Sequence, residues 1–164
     1  MPQIALRRNR QKMSYALPLE KVPIYERDKD GNIMYEGYED IDGTFVYIYD
    51  SEGNKIPKDT GENKTVFSEP VGFKGYVGSQ LEDAITRAWG SDNSNNFAVL
   101  VISKNAIDEN GNDLDFPKGT LIWRKYKPEI GIDGTIEPGS ADYIVDGVLD
   151  EELNETSYYL RKQR

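Results

Sequence analysis

The chain of 164 residues contains neither cysteine nor histidine. This excludes disulfides, thiolate nucleophiles, Ser-His and Cys-His catalytic pairs and ordinary zinc sites. Any catalysis would have to use carboxylate, Lys, Tyr or Ser/Thr groups. The sequence also lacks an apolar run near the ~18 residues of a membrane span, and no apolar stretch follows the basic residues at its start. We expect a soluble protein made in the cytoplasm, without membrane contact.

Basic residues crowd the two ends of the chain, and most acidic residues lie between them. The net charge of -9 argues against a general nucleic-acid binder, because phosphate binding normally needs a basic surface. If both ends lie at the same edge of the fold, their side chains form one basic patch for an acidic partner or nucleic acid. Alternatively, the first group marks a solvated edge strand, where charge discourages aggregation. The basic residues are Arg7, Arg8, Arg10 and Lys12 at the start and Arg161, Lys162 and Arg164 at the end.

One segment has the pattern of an α-helix. Ser79 is a suitable N-cap, Glu82 stands at the capping-box position, and Gly90 stands where a left-handed C-terminal stop is expected. These signals predict a helix over 79–89. Its apolar positions share one face: Leu81, Ala84, Ile85, Ala88 and Trp89.

The remaining pattern is that of strands and turns. The run F-A-V-L-V-I-S at 97–103 is the most apolar in the chain and predicts a central strand covered on both sides. Further strands are predicted at 4–17, 71–77, 120–126, 143–149 and 156–162. We therefore predict a mainly β fold, a small antiparallel β-barrel of five or six strands with one α-helix, formed by 1–21 and 65–164.

Residues 22–64 are predicted to be an inserted β-hairpin arm. Two D-x-x-G-N turns, at 28–32 and 50–54, predict two hairpins over 23–37 and 44–59. Within the second hairpin, Phe45, Tyr47 and Tyr49 alternate with Val46 and Ile48, so both strand faces are apolar or aromatic. Contact with another chain is one interpretation; the other is that one face packs on the parent sheet.

Candidate chemical sites are weak. Asp28 to Glu39 resembles a calcium loop in its acidic spacing, but Ile33 stands where the sharp turn requires Gly, which favours an ordinary hairpin turn. Asp133 with Glu137, or Asp150 with Glu151, are the carboxylate pairs that a glycosidase would need. All four lie in segments that the sequence predicts to be loops or turns, where carboxylates are well solvated. The sequence indicates no cofactor, no metal site and no enzyme.

Four segments in this order resemble the head-closure proteins of tailed bacteriophages, also called stoppers or head-tail joining proteins. The resemblance covers about 68–162 and the first strand. Its segments are E-P-V-G-F-K-G-Y-V-G-S-Q-L-E-D-A-I-T-R-A-W-G, F-A-V-L-V-I-S, G-T-L-I-W and A-D-Y-I-V-D-G-V-L-D-E-E-L-N-E-T-S-Y-Y-L-R-K.

The resemblance implies a structural virion protein of the phage neck that is not an enzyme. Such proteins form a homo-oligomeric ring, typically of twelve copies, between a portal or adaptor protein and the tail terminator or tail tube. The ring holds packaged DNA in its channel without reading its sequence. Contacts with subunits or partners are expected at Arg7, Arg8, Arg10, Lys12, Phe45, Tyr47, Tyr49, Glu82, Asp83 and Arg87. The 22–64 insertion departs from the family pattern and could close the channel, reach a neighbour or point outward.

The alternative function is a carbohydrate-binding β-module of a tail or surface protein. Exposed aromatic rings would stack on sugars in such a module. The candidate rings are Tyr35, Tyr38, Tyr47, Tyr49 and Trp123.

Overall fold

The computed structural model describes residues 10–78 and 96–163, apart from the side chain of residue 150. These residues are mainly β and include a 3-10 turn, Pro138–Ser140. The strands in chain order are β1 (Gln11–Ala16), β2 (Pro18–Tyr25), β3 (Gly37–Glu39), β4 (Phe45–Tyr47), β5 (Asp59–Phe67), β6 (Val71–Gly78), β7 (Phe97–Ser103), β8 (Leu121–Trp123), β9 (Tyr143–Glu151) and β10 (Glu155–Lys162).

The described parts of the chain contain no α-helix. The helix predicted over 79–89 lies outside them, and so do Glu82, Asp83 and Arg87 on its expected outer face. Arg7, Arg8 and Arg164 at the chain ends also lie outside the described residues.

Six strands close into an antiparallel barrel in the order β1, β6, β7, β10, β9, β8. This confirms the predicted barrel. Strand β7 has the predicted bounds, but β8 ends at Trp123 instead of residue 126. The Asp142 carboxylate accepts hydrogen bonds from the backbone amides of Arg124, Lys125 and Tyr126. These three amides therefore donate to a side chain. In a longer β8 they would be needed for hydrogen bonds to a neighbouring strand.

An aromatic cluster fills the barrel. Phe116 contacts Tyr15, Phe73 and Tyr158 with ring centroids 5.0, 5.1 and 5.3 Å apart. Leu100 and Ile102 of β7 belong to the same core. Val99 and Val101, which alternate with them, are buried on the other side of the strand, so β7 is covered on both sides as predicted.

Residues 18–67 form a branched β-ribbon that continues the β1–β6 hairpin outward. Tyr15 pairs with Val71 inside the barrel, and Pro18 pairs with Phe67 at the base of the ribbon. Between these pairs, the Ser68 amide donates to the Leu17 carbonyl at 2.9 Å, and the Leu17 amide donates to the Ser68 hydroxyl at 2.8 Å. The strand pairing therefore passes from barrel to ribbon with hydrogen bonds at the crossing.

The ribbon branches at two three-way junctions. In one, the amides of Glu26, Lys58 and Met34 donate in a cycle to the carbonyls of Lys58, Met34 and Glu26. In the other, Glu36, Ile56 and Ile48 form the same kind of cycle.

Three hairpin turns leave these junctions, at 28–32, 40–44 and 50–54. Two of them were predicted; the third, D-I-D-G-T at 40–44, was not. The prediction that 44–59 is one simple hairpin was wrong for β4, which pairs with β3. The third turn brings these two short strands together, while Tyr49 bridges to Lys55.

Candidate interaction surfaces

One face of the ribbon carries an exposed aromatic cluster. The Phe45 and Tyr47 rings lie 5.1 Å apart, and Tyr35 meets Tyr47 at 6.3 Å, both with edge-to-face geometry. Lys55 Nζ lies 4.0 Å from the Tyr47 ring centroid, a cation–π distance. Phe45 is 45% and Tyr47 39% exposed. Phe45 and Tyr47 therefore lie together on an accessible surface, and Tyr49, which is 55% exposed, pairs through its backbone with Lys55.

A glycine makes room for this cluster. Gly37 lies opposite Tyr47 in the strand pair, and a Cβ at Gly37 would come within 2.6 Å of the Phe45 ring. It would also come within 2.5 Å of the Val46 carbonyl oxygen, which belongs to the backbone and cannot move freely. Gly37 therefore allows the Phe45 ring to lie close over the backbone.

The ribbon tip, residues 36–54, is strongly acidic. It has six acidic side chains and no basic one: Glu36, Glu39, Asp40, Asp42, Asp50 and Glu52. Asp40 and Asp50 each use Oδ1 to accept two backbone amides within their own turns. Ile41, between two aspartates at the 40–44 turn, is fully exposed. The tip thus presents an apolar side chain surrounded by negative charge.

A basic cleft lies on the barrel beside β1 and β6. Its volume is about 380 Å³, and it is lined by Arg10, Lys12, Met13, Phe73, Lys74 and residues 105–109. Lys12 and Lys74 are directly opposite each other in the β1–β6 register, and both are exposed. Neither forms an ion pair with a described residue. Arg10 donates to the Ser103 hydroxyl at 2.7 Å.

A buried hydrogen bond fixes one wall of this cleft. The Tyr15 hydroxyl in the core donates to Asp108 Oδ2 at 2.6 Å, and Asp108 Oδ1 accepts the amides of Asn110 and Asn112. Burial, followed by the hydrogen bond to Asp108, raises the pKa of Tyr15 to about 12. Burial opposes ionisation of Asp108, but the Tyr15 hydroxyl and the two amides outweigh it and hold the Asp108 pKa below its ordinary value.

The described basic residues at the two chain ends do not form one patch. Arg10 contacts Ser103, which pairs with Glu155 at the start of β10, whereas Arg161 pairs with Phe97. Six residues of β7 separate these positions, or about 20 Å along a strand. Arg161 instead forms an ion pair with Asp146 at 3.0 Å. The strand register therefore divides the described basic residues between separate surfaces.

Two of the candidate carboxylates, Asp28 and Asp133, have structural partners. Asp28 Oδ1 accepts the amides of Asp30 and Asn32, as in a hairpin turn. Asp133 accepts the Thr135 amide and hydroxyl and forms an ion pair with Lys64 of the ribbon. In the described ranges no group of three or more acidic residues is placed to hold a metal ion.

Trp123 does not provide the sugar-stacking ring suggested for it. The side chain is 1% exposed, and its indole Nε1 donates to the Ser140 hydroxyl at 3.0 Å. It lies in the β8 strand against Ala16, Leu121 and Ala141. This interpretation was wrong because a single aromatic residue has the same sequence signal in a core as on a surface.

Three residues of these surfaces were not predicted from the sequence: Lys74, Ile41 and Ile107. Lys74 was predicted only as part of the strand at 71–77, yet the strand alternation around Phe73 already placed it on the outer face. Ile41 could have been found from the D-x-x-G turn that surrounds it. Ile107, 56% exposed, could not, because its position beside the cleft depends on the Tyr15–Asp108 contact.

Neither a protein-family model, nor a curated protein, nor a solved structure matches the chain. Among the residues that the structure describes, no helix combines the length and apolar character that crossing a membrane requires.

Proposed function

We propose that this chain is a structural, non-enzymatic subunit of a bacteriophage neck. In this proposal it forms a homo-oligomeric ring that closes the head after DNA packaging and joins it to the tail. A portal or adaptor protein meets one side of the ring, and a tail terminator or tail tube meets the other. The proposal rests on the resemblance of 68–162 to head-closure proteins and on the exposed aromatic surface of the ribbon.

The aromatic surface is the observation that carries the proposal. Tyr and Phe are enriched at the centres of protein interfaces, where water is excluded from large rings. Strand pairing and the space at Gly37 hold Phe45 and Tyr47 in position. Their side chains therefore lose little conformational entropy on binding. The closed barrel offers no unpaired edge between its six strands for adding a strand from a neighbour. Side chains on the ribbon are thus better suited to subunit contact.

The charge of the chain agrees with a DNA channel. An acidic ring repels packaged DNA, so that the DNA can pass without adhering.

Co-assembly tests the proposal. The protein is expressed with the portal and adaptor proteins encoded near its gene, and the product is imaged by electron microscopy. We expect closed rings on the portal complex and a monomeric or weakly associated protein in isolation. Absence of rings under every co-assembly condition would count heavily against the proposal, as would a gene located away from portal and tail-tube genes.

A pair of alanine variants tests the surface itself. Phe45→Ala with Tyr47→Ala should reduce ring formation by about tenfold or more, because buried aromatic anchors commonly contribute at least ~2 kcal/mol. Leu153→Ala is the matched control, since Leu153 is 89% exposed but lies in the β9–β10 turn. Binding to a glycan array that is lost in Tyr47→Ala would instead support a carbohydrate-binding module.

A further inference from the structure

We propose that the ribbon tip of one copy docks into the basic cleft of a second copy. The 40–44 turn would insert Ile41 against the apolar part of the cleft and place Asp42 and Glu39 beside Lys12 and Lys74. This inference rests on the proposed ring, since it names the two surfaces that join neighbouring subunits.

The cleft is lined by three basic side chains and two carboxylates, so its formal net charge is +1. Lys12 and Lys74 lie directly opposite in an antiparallel strand pair, an arrangement that like charges make unfavourable. Glu109 is in the cleft, but its carboxylate lies against Gly72, and it forms no ion pair with either lysine. The Asp108 carboxylate accepts hydrogen bonds from the Tyr15 hydroxyl and from two backbone amides of its own turn. An anionic ligand would therefore relieve the repulsion between the lysines.

The ligand that fits the cleft is both anionic and apolar. Ala106 and the exposed Ile107 line the cleft beside the three basic side chains. The ribbon tip has the complementary combination, because Ile41 is fully exposed between Asp40 and Asp42. A DNA backbone would match the charge but would leave the apolar lining uncovered. The composition of the cleft therefore favours the tip.

The ribbon of the same copy points away from its own cleft. Lys12 lies five residues before the ribbon base at Leu17, and β2 then runs outward to Tyr25. At about 3.3 Å per residue, the end of β2 is on the order of 40 Å along the ribbon from Lys12. The ribbon is also held to the 127–137 loop through Lys64 and Asp133. The tip can therefore reach the cleft of a second copy without the ribbon folding back on its own barrel. Such a contact joins two different surfaces, as in the head-to-tail contacts of a ring.

Thiol cross-linking tests this contact on a chain that has no cysteine of its own. The variants Thr44→Cys in the tip and Asn105→Cys in the cleft lining are mixed and treated with a short bis-maleimide, so that the heterodimer reports contact between tip and cleft. Glu62→Cys in strand β5 of the ribbon and Lys118→Cys elsewhere on the barrel are the matched controls. We expect the tip–cleft heterodimer to exceed each control by about tenfold, and equal yields would overturn the inference.

Charge reversal provides a second, independent measurement. Lys12→Glu with Lys74→Glu should abolish the cross-link between Thr44→Cys and Asn105→Cys, as should Glu39→Lys in the tip partner. Combining the reversed tip with the reversed cleft should restore it. Loss without restoration, in variants that unfold at the same urea concentration as the parent protein, would overturn the inference. Asp40 is left unchanged because its Oδ1 holds the turn.

Two further outcomes separate the alternatives. Tight binding of a fluorescent DNA duplex that Lys12→Glu with Lys74→Glu abolishes, without a tip–cleft cross-link, would assign the cleft to nucleic acid and overturn the inference. Rings on the portal that lack the cross-link would overturn this inference alone. The cross-link without rings on any neck component would support the contact and count against the proposed function alone.

Discussion

Removing the Tyr15 hydroxyl should weaken both the barrel and the cleft. In Tyr15→Phe the ring stays in the aromatic cluster with Phe73 and Phe116, so packing is conserved. The hydrogen bond of 2.6 Å to Asp108 is lost, and the 5% exposed carboxylate keeps only its two turn amides. The substitution therefore isolates one polar contact between the core and the 104–114 loop.

The expected decrease in the free energy of unfolding follows from the negative charge of the acceptor, the Asp108 carboxylate. Hydrogen bonds to charged groups contribute about 1.5–3 kcal/mol, and a buried acceptor that loses its donor is at the upper part of this range. For a domain of this size, each kcal/mol lowers the melting temperature by about 2–4 °C, so the expected decrease is about 3–12 °C. The loop that carries Ile107 and Glu109 should also become more mobile, because this bond fixes it to the barrel.

Urea unfolding and thermal unfolding of the purified protein measure this cost. Tyr49→Phe is the control, since Tyr49 is 55% exposed, and its free energy of unfolding should change by less than about 0.5 kcal/mol. Asp108→Asn completes a double-mutant cycle, whose coupling energy gives the Tyr15–Asp108 interaction directly. A Tyr15→Phe variant as stable as Tyr49→Phe, with no coupling to Asp108, would refute the reasoning.

Three further predictions concern single positions. Because the pKa of Tyr15 is raised to about 12 from 10.0, its protonated form stabilises the fold below pH ~10, and this contribution is lost as the pH rises to about 12. The stability of Tyr15→Phe, measured by urea unfolding, should fall less over this interval. Gly37→Ala should speed amide hydrogen exchange across β3 and β4, because its Cβ would meet a backbone oxygen at 2.5 Å; Gly139→Ala, whose Cβ would meet no described atom within 4 Å, should not. Lys64→Met should cost at most ~1 kcal/mol, since its ion pair is partly exposed, and should speed exchange in β5, unlike the control Lys118→Met.

The barrel could be predicted from the sequence where the signal is local. The run 97–103 is apolar at every position but the last, and β7 has the predicted bounds because burial on both sides requires such a run. Strand β8 could not be predicted in the same way. Its end depends on Asp142, which is distant in sequence and becomes a backbone partner only after folding.

The ribbon, too, could be predicted from the sequence only where its signals are local. Its Asp-Gly turns are encoded within five residues, and two of three were predicted on that basis. The junctions join residues as far apart as Glu26 and Lys58, and no short motif specifies them. The cleft depends on strand register as well, because only the pairing of β1 with β6 places Lys12 opposite Lys74. The sequence therefore indicated the residue types of the candidate surfaces but not their arrangement.

The unbroken pairing between barrel and ribbon gives the molecule the mechanics of a lever. Tyr15–Val71 and Pro18–Phe67 lie on one continuous hairpin, with the Leu17–Ser68 hydrogen bonds at the fulcrum. A load on the tip is transmitted as torque to β1 and β6, and through β6 to β7. Pulling the two ribbon strands apart would break their hydrogen bonds one pair at a time, whereas a load along the ribbon axis would oppose many pairs together. The ribbon would therefore yield to peeling and resist stretching.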